Sequence, residues 1–112
     1  MRTWIAVHCV VMEDPAAAVL TIALHLPMSR SLKDKRAVLK PILTIGHDRY
    51  GVAAAEVADQ DLRQRATLAF ASVGSSYGHV EEVLEAVERF VWSRPNLEVT
   101  ERRLSWLDTD NG

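Results

Sequence analysis

The sequence predicts an α+β fold, a four-stranded antiparallel sheet with two helices on one face, and three features carry that prediction. Leu20, Ile22, Leu24 and Leu26 alternate with Thr21, Ala23 and His25, the two-residue period of a strand with one apolar face. Two later segments repeat apolar residues at helical spacing: Val38, Leu39, Ile42 and Ile45 in the first, and Val80, Val83, Leu84, Val87, Phe90 and Val91 in the second. The chain has 112 residues, 48% hydrophobic and 25% charged, enough to bury one core without disulfides or metals.

In chain order, residues 3–12 read as a strand, Glu13-Asp14-Pro15 as a turn, and residues 19–26 as a second strand ended by Pro27. Arg2, the apolar run and Ala16-Ala17-Ala18 loosely imitate a secretory leader. His8 interrupts that run, an acidic turn follows it, and it falls short of the roughly 20 residues needed to cross a bilayer, so a strand explains it better. The first helix is expected over residues 32–48, with Ser31 as its cap and Asp34 three residues on as a short-armed capping-box partner. Pro41 removes a hydrogen bond to the carbonyl of Ala37 and predicts a kink, with a late start at Pro41 as the alternative.

Tyr50-Gly51 closes that helix, and residues 52–58 and 66–73 form a hairpin around the charged loop 59–65. Ser75 or Ser76 caps the second helix, which runs to about residue 93 with Glu81, Glu85 and Glu88 opposite its apolar stripe. Pro95-Asn96 stops it, residues 97–107 supply the last strand, and residues 108–112 are a polar tail. From residue 19 onward the order is β-α-β-β-α-β, the ferredoxin-like arrangement. In that arrangement the strand at residues 19–26 is central and already has two neighbours. The extra strand at residues 3–12 must therefore reach an outer edge, join another protomer or stay loosely attached.

The composition excludes more than it offers. A net charge of −2 argues against wholesale nucleic-acid binding but leaves room for a local basic patch. The lone Cys9 cannot form an internal disulfide, which suits a reducing compartment. His8, His25, His47 and His79 are scattered, and no zinc or other cofactor site is expected. Gly74-Ser75-Ser76-Tyr77-Gly78 lacks the spacing and the lysine of a phosphate loop, and no nucleophile, base and acid announce a triad. No enzymatic reaction or small-molecule substrate is expected from these residues.

Three groups of residues stand out. Arg30, Lys33, Lys35, Arg36 and Lys40 crowd the start of the first helix against Asp34 alone, at the helix end where the macrodipole disfavours cations. Lys33, Arg36 and Lys40 fall near one helical face, with His47 further along it; the face reads either as a phosphate contact or as a solvated surface. Glu56, Asp59, Gln60, Asp61, Arg63, Gln64 and Arg65 surround the hairpin. They read either as a polar binding edge, with Glu56 on the open face of the sheet, or as a solvated turn whose charges pair among themselves. Trp92 reads either as an exposed contact patch or as edge packing against the last strand. The central strands offer only Phe70 for stacking bases, so sequence-specific RNA reading is not expected.

Six stretches in order give the chain a specific likeness: Leu24-His25-Leu26-Pro27, Ser31-Leu32-Lys33-Asp34-Lys35-Arg36, Val57-Ala58-Asp59-Gln60-Asp61-Leu62, Gln64-Arg65-Ala66, His79-Val80-Glu81-Glu82-Val83 and Arg94-Pro95. Through them residues 18–107 resemble the YlxP-like family, small bacterial proteins of unknown function. Arg63 stands where members often carry tryptophan, Trp92 where they are usually polar, and residues 1–17 are additional; a start at Met12 would restore roughly the family length. Members' genes often lie among those for transcription elongation, translation initiation and small-subunit maturation. The resemblance therefore implies a cytoplasmic binding protein with ribosomal RNA or a ribosomal particle as partner. The alternative is a homodimer formed through the open sheet face, where the Ala-rich strand at Val52-Ala53-Ala54-Ala55 allows close packing. No membrane association is expected.

Overall fold

The computed structural model of the protein describes residues 13–108. The expected strand at residues 3–12 and most of the polar tail lie outside them. The order of elements is β1 (Ala16–His25), α1 (Leu32–Tyr50), β2 (Ala53–Ala58), β3 (Arg65–Gly74), α2 (Tyr77–Trp92) and β4 (Glu98–Trp106). The strands lie in the order β2-β3-β1-β4, and every neighbouring pair is antiparallel, as a ferredoxin-like arrangement requires.

β1 begins three residues before the expected start, because Ala16, Ala17 and Ala18 already pair with Gly74, Val73 and Ser72. The alternation read in residues 20–26 continues back through these alanines: Ala16, Ala18, Leu20, Ile22 and Leu24 are all buried. β3 contributes Ala66, Leu68 and Phe70 to the same side, and the helices close over it with Leu39 and Ile42 from α1 and Val80, Leu84, Val87 and Val91 from α2. β4 is an edge strand with mostly exposed side chains, of which Leu104 and Val99 pack against the core. Arg102 lies opposite Ile22 and reaches Glu88 of α2 at 2.8 Å.

Each helix is capped as its sequence dictates. Ser31 Oγ accepts from the Asp34 amide at 3.0 Å, and Asp34 Oδ2 accepts from the Arg30 amide at 2.9 Å, a capping box displaced by one residue. Ser76, rather than Ser75, caps α2 through the His79 amide. α1 begins at Leu32 and runs on through Pro41, so the late start is not adopted. Gly51, at φ 68°, ends α1 in the left-handed conformation; its amide donates to the His47 carbonyl at 3.1 Å and the Val52 amide to the Gly46 carbonyl at 3.3 Å.

The buried row of α1 is Lys35, Leu39, Ile42 and Gly46, one helical stripe at spacings of four, three and four. The expected Val38 and Ile45 flank it and are only partly buried. Gly46 lets the helix approach the sheet: a β-carbon there would lie 3.1 and 3.3 Å from atoms of the Phe70 ring. A larger side chain would have to displace that buried ring. Gly46→Val is therefore expected to destabilise the fold by about 1–3 kcal/mol, read as a lower urea midpoint with an unchanged denaturant slope.

Candidate functional site

Lys35 sits on the core stripe of α1, and its side chain is not a surface cation. With 1% of its surface exposed, it is one of the most buried residues of the described chain, which corrects its expected place among the anion-contacting lysines. The physical reason is the stripe itself. Lys35 lies four residues before Leu39 and seven before Ile42, so it points at the sheet, whereas Lys33, Arg36 and Lys40 point away and are exposed.

A buried ammonium needs partners for all of its hydrogens, and here the hairpin supplies them. Nζ donates to the carbonyls of Asp59 at 2.8 Å, Gln60 at 3.2 Å and Arg65 at 3.1 Å. Those three bonds use its three hydrogens. Glu56 Oε2 then lies 2.8 Å from Nζ, buried and without a hydrogen bond of its own, so it acts as a neutralising charge rather than as an acceptor.

Glu56 is also displaced from its expected place. It pairs in register with Leu68, a core residue, so it faces the helices and not the open side of the sheet. A register shift between Glu56 and Ala58 follows at once, and Asp59 adopts φ 64°, a left-handed backbone that aspartate tolerates better than most residues. Together these bend the hairpin back over the start of α1 and aim successive carbonyls at one ammonium. Asp59 is fixed further by Thr67, whose hydroxyl donates to Oδ2 at 3.2 Å.

The rest of the hairpin secures the segment between β1 and α1. Gln64 Nε2 donates to the carbonyls of Pro27 at 3.3 Å and Ser29 at 3.1 Å, and its own carbonyl accepts from the Leu26 amide at 2.9 Å. Ser29, almost fully buried, donates its hydroxyl to the Ser31 carbonyl at 3.1 Å. Gln60 folds back on its own strand through the Glu56 carbonyl.

Between these two secured segments lies a cleft of about 610 Å³. Arg30 and Leu32 border it from the helix side, and Asp61, Leu62, Arg63 and Arg65 from the hairpin. Among the described residues, no carboxylate pairs with the guanidinium of Arg30, Arg63 or Arg65. The basic start of the first helix and the polar hairpin edge, read separately in the sequence, thus meet in one place. Lys33, Arg36 and Lys40 do not border the cleft, and Glu56 and Lys35 lie beneath it.

Trp92 is 59% exposed, at the far end of α2, and takes no part in this site. Trp106 packs edge-on against Tyr77 at 5.1 Å. Phe70 is fully buried on the helix side, and β1 and β3 present no phenylalanine, tyrosine or tryptophan to the open face. Among the described residues, no helix is long and apolar enough to cross a membrane.

Fold and site together define a small ferredoxin-like domain with an arginine-lined cleft built on a buried lysine. The chain belongs to the family described as "Protein of unknown function (DUF503)", whose model matches residues 17–104, the YlxP-like family. It is 42% identical over 77 residues to the "Uncharacterized protein YlxP" of Bacillus subtilis (strain 168), covering 69% of this chain and 84% of that protein. A solved structure of SnoaB, a cofactor-independent oxygenase from Streptomyces nogalater, aligns with a TM-score of 0.45 at 8% identity over 89% of this chain and 97% of that one. That distance gives it no bearing on the chemistry of this chain.

Replacing Lys35 tests the role of the buried charge. Lys35→Met is expected to cost about 3–5 kcal/mol in urea unfolding, because Glu56 is left as a buried charge without its counter-ion. Adding Glu56→Leu should recover only part of that loss, since the carbonyls of Asp59, Gln60 and Arg65 remain unpaired. Full recovery would show that the ion pair matters and the carbonyl bonds do not.

Proposed function

We propose that the protein acts by binding rather than by catalysis, and that the cleft between the start of α1 and the β2–β3 hairpin docks phosphates of an RNA. In this reading the protein is a cytoplasmic accessory factor, and ribosomal RNA or a ribosomal particle is the leading partner.

One observation carries the reading: Arg30, Arg63 and Arg65, from two separate elements, border one cleft that holds a single acidic neighbour, Asp61. Guanidinium groups make paired hydrogen bonds to phosphate oxygens, and several converging on one cleft gain geometric fit that an isolated surface lysine lacks. The cleft also opens at the start of α1, where the helix end carries partial positive charge. Lys33, Arg36 and Lys40 extend the positive surface along the outer side of that helix. Contacts of this kind respond to charge and salt and carry no base information, which agrees with central strands β1 and β3 that offer no stacking aromatic on their open face.

The test leaves Lys35 intact, since its loss would undo the hairpin. Arg30→Ala combined with Arg63→Ala should leave the thermal midpoint unchanged and abolish co-sedimentation with ribosomal particles at low salt. Binding of a single-stranded RNA oligonucleotide should lose roughly 0.7 from the slope of log affinity against log salt for each phosphate contact removed. Lys33→Ala with Arg36→Ala and Lys40→Ala should weaken binding by less. Association that is indifferent to the arginine changes would overturn the reading.

A further inference from the structure

The side of the sheet turned away from the helices is divided along its strands. At the end where β1 begins, a shallow cavity of about 470 Å³ runs across all four strands, bordered by Ala17, Val19, Ala53, Ala71, Val73 and Ser105. Val73 is 70% exposed and Val19 38%. Towards the hairpin end the same face turns polar, with Thr21, Thr67, Glu101 and Arg103, and then His25 bonded to Glu98 at 2.9 Å. Single exposed valines are ordinary on a protein surface, but a continuous apolar strip across a sheet is a surface to be covered.

We propose that residues 1–12 of the same chain lie across this apolar end and cover it. The chain enters the sheet at Ala16, at the apolar end, after the exposed link Glu13, Asp14 and Pro15. The twelve residues before that link include Trp4, Ile5, Val7, Val10, Val11 and Met12, large side chains for a floor of alanines and valines. At about 3.3 Å per extended residue they reach ~40 Å, whereas crossing four strands takes three spacings of about 4.8 Å, ~14 Å.

Other placements serve the surface less well. Both edges of β1 are already paired, with β3 along its full length and with β4 from Ala18 onward. The outer edge of β4 belongs to a strand rich in charge, Glu98, Glu101, Arg102 and Arg103, of the kind that discourages an apolar partner. A strand added beside β2 would leave Val19 and Val73 open. A second copy would find only half of the face apolar, a projected area of roughly 250 Å² against the roughly 800 Å² per partner of a standard stable interface.

The single cysteine of the sequence, Cys9, makes the proposal directly testable in the full chain. A second cysteine is introduced as Val73→Cys at the apolar end or as Glu101→Cys at the polar end, and each protein is treated with a bifunctional maleimide at micromolar concentration. The expected result is an intrachain link from Cys9 to the new cysteine at position 73, severalfold more than at position 101. It should exceed interchain linkage about a hundredfold, because a short tether holds the effective concentration in the millimolar range. Linkage mainly between chains would give the surface to a second copy and overturn the proposal; so would equal or absent linkage at the two positions. As an independent measure, the emission lost on Trp4→Phe should be blue-shifted and shielded from acrylamide. A Trp4 signal quenched as readily as in urea would also overturn the proposal.

Discussion

The hairpin end of this domain depends on one buried ammonium. Taking Lys35 out of water costs several kcal/mol, and nothing in an apolar core returns that cost; it is offset only because three carbonyls and one carboxylate converge on Nζ. Convergence of that kind is demanding. It requires a helix-facing glutamate at position 56, a register shift after it, a left-handed residue at position 59 and a loop whose far end returns the Arg65 carbonyl to the same point. The hairpin is thus held over the start of α1 by a charge rather than by apolar packing. Its own outer side chains, Leu62 among them, are left exposed.

That arrangement explains why two unrelated-looking stretches make one cleft. Arg63 and Arg65 lie on either side of Gln64, which is tied to the Pro27 and Ser29 carbonyls, and Arg30 follows in the same short connection. Four of the six stretches that carry the family resemblance meet here: those containing Pro27, Lys35, Asp59 and Gln64. The helix start is already well served, since Ser31 takes the Asp34 amide and Asp34 takes the Arg30 amide. An anion in the cleft would therefore depend chiefly on guanidinium side chains and less on free helix amides.

The fold was legible because its signals are periodic and local. Alternation in β1, the stripe of α2 and the serine caps each declare themselves within a few residues, and the strand order follows from the β-α-β-β-α-β sequence of elements. The site was half legible. In the sequence Arg30 belongs to the basic helix start, and Arg63 and Arg65 to the polar hairpin edge, because the approach of the hairpin to the helix spans some thirty positions of chain. Lys35 reads there with Lys33 and Arg36 as one member of a basic run. The signal that places it differently was present: positions 35, 39, 42 and 46 form a single helical row, and a lysine on a core row needs a buried acceptor. Glu56, two residues beyond the helix-facing Ala54, was the matching signal on the strand side. Pro41 left two readings open, and the helix that runs through it is the one adopted: a proline there removes one backbone hydrogen bond without ending the helix.

The two surfaces of interest lie at opposite ends of β1. Its first residue, Ala16, pairs with Gly74 beside the apolar strip, and its last, His25, pairs with Arg65 at the cleft. Nine residue steps of strand, about 30 Å, separate them. This spacing lets one end be covered while the other stays open. The character of the open face changes along the same axis, from alanine and valine to threonine, glutamate and arginine. An apolar segment laid on the first half would find no floor on the second. A phosphate-bearing partner drawn to the arginines meets a polar sheet end beside the cleft, where Arg65 lies close to Thr67, Thr100 and Glu101. Charge and apolar area are thus sorted along the strands, and the sorting keeps each from interfering with the other.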